Sequence, residues 1–309
     1  METANPRPQE PSIVPHLWFD KEAKEAALFY CSVFPESAVV SSTLLPGTPS
    51  GDSESVSFTI WGQPFMAISA GPLFKFNPSI SFIVNFDPSR EPQARELLDE
   101  AWDKLAEQGT ALMPLGEYPF SKRFGWIRDK YGVTWQLMLT NPEGEPRPTI
   151  IPSLMFTGDN CGKAEEAREE YLSIFRDSRP GSLIRYGPGM SPDREGTVMF
   201  SDFMIGNTWL TAMDSAHPHG FAFNEAISLL VRCDTQEQID FYWDKLSAVP
   251  EAEQCGWLKD RYGLSWQIAP REMEDMLATG TPEQIKRVIE AFLPMRKFDL
   301  EKLRQAFVE

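Results

Sequence analysis

Two stretches of this chain are near copies of each other. Gly125 to Gln136 reads GWIRDKYGVTWQ, and Gly256 to Gln267 reads GWLKDRYGLSWQ. Seven of the twelve positions are identical, and the other five are Ile/Leu, Arg/Lys, Lys/Arg, Val/Leu and Thr/Ser. Size and charge held at every mismatch mark a duplicated structural unit. The match runs collinearly upstream. Ile13–Phe19 pairs with Thr149–Phe156 on a shared proline, Ala23–Ser37 with Ala164–Ser178, Phe76–Ser81 with Phe223–Ser228, and Trp102–Leu105 with Trp243–Leu246. The chain therefore divides into a polar, Pro-rich lead-in at 1–12, expected to be disordered, a first module at 13–140 and a linker at 141–148. A second module follows at 149–270 and a tail at 271–309. The linker, NPEGEPRP, has the Pro, Gly and charge of an exposed connection.

Within a module the hydrophobic period changes twice. Ile13–Phe19 is a short apolar run suited to a buried strand. Asp20 is placed to cap a helix whose apolar face is Ala23, Ala26, Ala27, Tyr30, Val33 and Phe34, stopped by Pro35. Three strands follow near Val39–Leu45, Ser55–Trp61 and Phe65–Ser69. The pattern then restarts with a strand at Ser79–Phe86 and a helix with Pro92 in its first turn and Gly109 as its stop. Strands near Thr110–Met113, Gly125–Arg128 and Thr134–Leu139 complete it. Each module is thus two strand–helix–three-strand units, giving four βαβββ units of α+β class. In the second module Thr235 and Gln238 have capping-box spacing. The tail predicts two amphipathic helices, capped at Thr281 and Asp299 and expected to dock on the modules.

The net charge of −16 lacks the clustered Lys and Arg that nucleic acid or an anionic membrane requires. No apolar run approaches a membrane span or a signal peptide. Four widely spaced cysteines, Cys31, Cys161, Cys233 and Cys255, form no CxxC pair, so reduced thiols and a cytoplasmic setting are expected.

Specific stretches carry a resemblance. They are PHLWFD ahead of a helix ending FYCSVFPES, GPLFKFNPSISF and its copy HPHGFAFNEAISL, DTQEQIDFYWDKLS, CGWLKDRYGLSWQI and PMRKFDLEKLRQAF. The chain resembles the PhnB-like branch of the vicinal-oxygen-chelate superfamily, which includes glyoxalases and bleomycin-resistance proteins. Some relatives carry the label 3-demethylubiquinone-9 3-methyltransferase. The resemblance implies tandem vicinal-oxygen-chelate modules paired intramolecularly, two fused modules standing in for a dimer. It does not by itself imply an activity.

Metal-using members of the superfamily resemble one another on the first strand of each unit and the last strand of the second. There they place His, His and a carboxylate around a divalent ion. On this sequence those places are His16, Ser81 and Gln136 in the first module, and Ser153, Ser228 and Gln267 in the second. Neutral Gln and Ser cannot balance a divalent charge, so no cofactor is expected. A divalent metal remains an open alternative through His16, or through the H-x-H of His217 and His219 beside Asp214. The six positions instead suit a small-molecule ligand, with Trp18, Phe65, Phe124, Trp126, Trp135, Trp209, Trp257 and Trp266 as candidate pocket aromatics. Asp129 and Asp260 read as turn residues without a catalytic role. Lys75 could meet an anion, but its copy is Ala222.

The leading expectation is a small-molecule-binding protein without the metal triad. The alternatives are a metal-dependent lyase, isomerase or dioxygenase on the same fold, and a degenerate pair of modules serving interaction alone. Methyl transfer is disfavoured because no Gly-rich strand-to-helix loop offers a nucleotide cradle.

Overall fold

The structure, a computed structural model, describes residues 12–308. The lead-in lies outside those residues except for Ser12, which opens the first strand. The first unit is β1 (Ser12–Phe19), α1 (Ala23–Val33), β2 (Ala38–Thr48), β3 (Gly51–Ile60) and β4 (Gln63–Ser69). The second is β5 (Ile80–Phe86), α2 (Ala94–Ala106), β6 (Thr110–Tyr118), β7 (Ser121–Arg128) and β8 (Thr134–Leu139). The third is β9 (Ile150–Phe156), α3 (Ala164–Ile174), β10 (Arg179–Arg185), β11 (Val198–Ile205) and β12 (Thr208–Asp214). The fourth keeps β13 (Ile227–Cys233), α4 (Gln236–Leu246), β14 (Trp257–Lys259) and β15 (Ser265–Pro270), so one strand after its helix is missing. The tail forms three helices, α5 (Arg271–Thr279), α6 (Pro282–Phe292) and α7 (Leu300–Val308), one more than its periodicity announces.

Helix ends differ from the sequence expectation where another strand supplies the cap. Asp20 does not cap α1; Glu22 stands at the N-cap without a side-chain bond. The orphan N–H of Ala23 is met by Ser69 Oγ of β4, 3.1 Å away. In the third unit Asp214, at the place of Ser69, accepts from the N–H groups of Gly162, Ala164 and Val198. Pro92 lies just ahead of α2 rather than within its first turn. Thr235 does accept from Gln238 N, and Thr281 with Gln284 makes a complete capping box. Asp299 Oδ1 accepts from Lys302 N at the start of α7.

The strands assemble into two mixed sheets. Sheet A is seven-stranded, β14-β15-β13-β1-β4-β3-β2, and sheet B is eight-stranded, β10-β11-β12-β9-β5-β8-β7-β6. Each sheet takes one unit from each module, joined by antiparallel seams, β1 with β13 and β5 with β9. Neither module builds a sheet of its own.

Strand alternation then gives each sheet two faces. On one face, Leu17, Phe58 and Phe65 of sheet A meet Phe82, Trp135 and Leu137 of sheet B in one shared core with the helices. Phe65 and Phe82 make an edge contact 5.2 Å apart across it. Asp129 and Asp260 sit in that core and are more than turn residues. Asp129 Oδ2 accepts from Tyr30 Oη and Trp135 Nε1, both at 2.9 Å, while Oδ1 accepts from the backbone of Tyr131 and Val133. Asp260 repeats the arrangement with Tyr171, Trp266, Tyr262 and Leu264. Four donors satisfy each buried carboxylate, and each pins α1 or α3 to the adjoining unit of its own module. The core therefore holds each module together, and the seams hold the modules to each other.

Candidate functional site

The second face of each sheet carries the candidate polar residues in a row across the strands. On sheet A, Trp257 pairs with Gln267, His16 with Ser228, and His16 with Met66. On sheet B, Trp126 pairs with Gln136, Ser81 with Ser153, and Ser153 with Thr211. In both rows the Gln spans to a Ser on the next strand. Gln267 Nε2 donates to Ser228 Oγ at 2.9 Å, and Gln136 Nε2 donates to Ser81 Oγ at 2.7 Å.

The six positions are thus grouped differently from the module-by-module sets the sequence suggests. His16 of the first module joins Ser228 and Gln267 of the second. Ser153 of the second joins Ser81 and Gln136 of the first. The reason is the crossed seam: the first strand of each module hydrogen-bonds to the other module's second unit.

His16 is 5% exposed, and its Nδ1 has no hydrogen-bond partner. Burial pushes its pKa down to about 3, so the ring is neutral at pH 7. Trp257 meets it edge-on at 5.5 Å, and Trp18 and Phe74 extend the cluster. Trp18 Nε1 donates to Gly71 O. On sheet B two buried atoms lack partners, Trp126 Nε1 and Thr211 Oγ1. Trp209 lies on the same face with Ile83 and Ile151, and the Arg147 guanidinium stacks 4.1 Å above its ring.

Three of the candidate aromatics belong elsewhere. Phe65, Trp135 and Trp266 are wholly buried in the shared core, facing away from the rows. Their strands alternate, so a Trp immediately before the row's Gln must face the opposite side. Phe124 shares the open face with Trp126 but packs in a cluster with Tyr118 and Phe120. Lys75 is exposed, and its carbonyl accepts from Asn224. Thr211 and Met66 are row members that the sequence reading missed. Only strand pairing with His16 and Ser153 puts them in the rows.

The donor set does not fit a divalent metal. Sheet A offers one histidine beside a serine and an amide, and sheet B offers hydroxyls and an amide. The H-x-H loop is engaged elsewhere. His219 Nε2 bonds Ser215 Oγ at 2.7 Å, His217 Nε2 stands 3.6 Å from Asp193, and Asp214 is taken up by backbone N–H groups. Among the described residues, no group of three or more His, Cys, Asp or Glu is placed to hold a metal ion.

The model of the family described as 3-demethylubiquinone-9 3-methyltransferase matches twice in tandem, at residues 11–138 and 148–269. The chain belongs to this family. The two matches coincide with the two modules. No curated protein matches the chain. Among solved structures, it is similar to a putative 3-demethylubiquinone-9 3-methyltransferase, PhnB protein, from Bacillus cereus. That likeness is 40% identical, covers 41% of this chain and 98% of the other, and has a TM-score of 0.37. The chain is also similar to glyoxalase I from Zea mays at 11% identity, over 86% of this chain and 96% of that one, with a TM-score of 0.52. The second likeness spans both modules and shows the fold, tandem vicinal-oxygen-chelate modules of the glyoxalase and bleomycin-resistance type. Among the described residues no helix is long and apolar enough to cross a membrane.

Proposed function

We propose that this family member binds a small, uncharged organic molecule on the open face of a sheet and does so without a metal. One observation carries the reading. In both rows a Gln–Ser hydrogen bond stands where a chelating site needs anionic or imidazole donors. Around each pair lie large apolar side chains, Met66, Trp18 and Trp257 on sheet A, and Ile83, Ile151 and Trp126 on sheet B. A few fixed polar groups on an apolar surface orient a ligand and supply specificity.

The methyl transfer in the family's name is not adopted for this chain. It needs a cradle for a nucleotide-type donor, and no Gly-rich strand-to-helix turn is present in the sequence. A metal-dependent lyase, isomerase or dioxygenase is the second reading, and the partnerless Nδ1 of His16 is the observation that favours it. Elemental analysis decides between the two. Purified protein from cells supplied with Mn, Fe, Ni and Zn is expected to hold far less than one metal ion per chain, and chelation is expected to leave its thermal midpoint unchanged. Near-stoichiometric metal that disappears in His16→Ala would overturn the metal-free reading.

A further inference from the structure

The two rows are duplicates in origin, but what lies over them differs. Beside the row on sheet A is an apolar floor of Val14, Leu230 and Ala269, with Met66 and Ile68. The tail covers it: Met276 of α5, Val288, Ile289 and Phe292 of α6, and Leu303 of α7 pack there in one cluster. Between α6 and α7 the chain turns around the sheet edge. Cys255 N donates to Met295 O at 2.8 Å, and Gly256 N donates to Arg296 O at 2.7 Å. These bonds stand where β6 lines β7 in the other module, so the tail also replaces the strand missing from the fourth unit.

Sheet B has no such cover. Its floor of Ile83, Ile151 and Met138 packs with Phe200, Met204 and Trp209 of its own strands. In register, sheet A carries Ser55, Thr59 and Pro64 at those three places. The rows have diverged as well. Where sheet A has His16 and Met66, sheet B has Ser153 and Thr211. Thr211 is 2% exposed with its hydroxyl unmet, and Trp126 Nε1 in the same row is also unmet. No charged residue belongs to that row except Asp202 at its end, whose carboxylate accepts from Arg147 Nε and Ser182 N.

We propose that the tail closes the face of sheet A and that the chain takes a free ligand on sheet B alone, a small uncharged molecule with a carbonyl-type acceptor for Trp126 Nε1–H. This rests on the small-molecule reading above. A buried donor without a partner is costly, and a ligand that meets Trp126 Nε1–H recovers that cost. The tail stands in for a ligand on sheet A, covering the apolar surface that the repeat would otherwise expose.

Two measurements on the full-length chain test the two halves separately. With 15N-tryptophan labelling, Trp126→Phe and Trp257→Phe assign one indole N–H signal in each row. Titration with benzamide is expected to move the Trp126 signal and leave the Trp257 signal in place. Equal movement at Trp257 overturns the division of the faces, and no movement at either overturns the ligand class. The tail is read from Cys255, whose Sγ lies 3.4 Å from Leu293 O and whose thiol burial pushes up to about 11. N-ethylmaleimide, followed by peptide mass spectrometry, is expected to label Cys255 roughly tenfold faster in Phe292→Ala than in the unaltered protein, because the tail opens locally. Ile289→Val serves as a milder variant if Phe292→Ala unfolds. Equal rates in a folded variant overturn the closure, whatever benzamide does. Failure of the small-molecule reading shows in the tryptophan signals with the Cys255 result intact.

Discussion

Acidification strikes this fold at a specific residue. His16 is buried on β1 between Met66 and Ser228, with Trp257 against its ring and no carboxylate among these neighbours. Burial alone lowers its pKa from 6.5 to about 3. A group whose folded pKa is depressed contributes stability that is intact above the unfolded value and lost as pH falls below it. For His16 the loss begins near pH 6.5 and continues down to pH 3. Each pH unit in that window costs about 1.4 kcal/mol, so the step from pH 6.5 to 5 removes about 2 kcal/mol. In a chain of this size that is about 3 °C in the thermal midpoint. Carboxylates elsewhere add their own acid dependence, so the informative quantity is a difference. Urea or thermal unfolding, followed by tryptophan fluorescence at pH 7, 6 and 5, is run on the unaltered protein and on His16→Gln and His16→Leu. Both variants are expected to lose less stability than the unaltered protein between pH 7 and 5, by about 2 kcal/mol. The same acid loss in all three proteins would refute the argument, because His16 would then be charged in the fold or reached by water.

Other positions give equally direct outcomes. Asp129→Asn and Asp260→Asn each replace a four-fold acceptor with an amide that turns a donor toward Tyr and Trp donors. Each is expected to cost about 2–4 kcal/mol in urea unfolding, and a loss under 1 kcal/mol would remove these carboxylates as anchors. Burial pushes Asp260 up to about 6, so its own share of stability is present at low pH and is lost as pH rises through 6. Comparing Asp260→Asn with the parent at pH 5 and 8 should expose that opposite slope. Gly256→Ala would set a Cβ 2.4 Å from the Phe298 ring at a φ of +81°, so it should loosen the tail and lower the thermal midpoint; Gly189→Ala, with nothing within 4 Å, tests the φ term alone. Cutting the chain between Asn141 and Pro148 should leave the halves co-eluting on size exclusion at neutral pH, because β1–β13 and β5–β9 still join them; separation without denaturant would contradict the crossed sheets.

Much of this architecture is legible in the sequence. The GWIRDKYGVTWQ and GWLKDRYGLSWQ copies fix the duplication, and strand and helix periods fix the unit, because both depend only on which side chains must leave water. The Ser and Gln positions follow from the resemblance to metal-using relatives, and the repeat sets them at equivalent strand positions in both modules. The sequence also carried the Asp of each DKYG and DRYG turn, but a turn residue and a buried anchor look alike until Tyr30 or Tyr171 arrives from a distant helix. Which Trp faces the core was open to alternation, and Trp135 and Trp266 follow that rule once Gln136 and Gln267 are set on the other face.

Pairing between modules was not open to local reasoning. β1 could meet either module's second unit with the same hydrophobic pattern, and backbone hydrogen bonds carry no sequence label. Only the assembled sheets decide that His16 belongs with Ser228 and Gln267, and Ser153 with Ser81 and Gln136. The tail is the same case. Its helices and caps are written in Thr281, Pro282 and Asp299, but its resting place depends on an apolar floor assembled from distant strands, Val14, Met66, Ile68, Leu230 and Ala269. The sequence determined what each segment is and which faces must be buried. The tertiary structure decided against what they are buried, because shape complementarity between distant surfaces exists only after the chain has closed on itself.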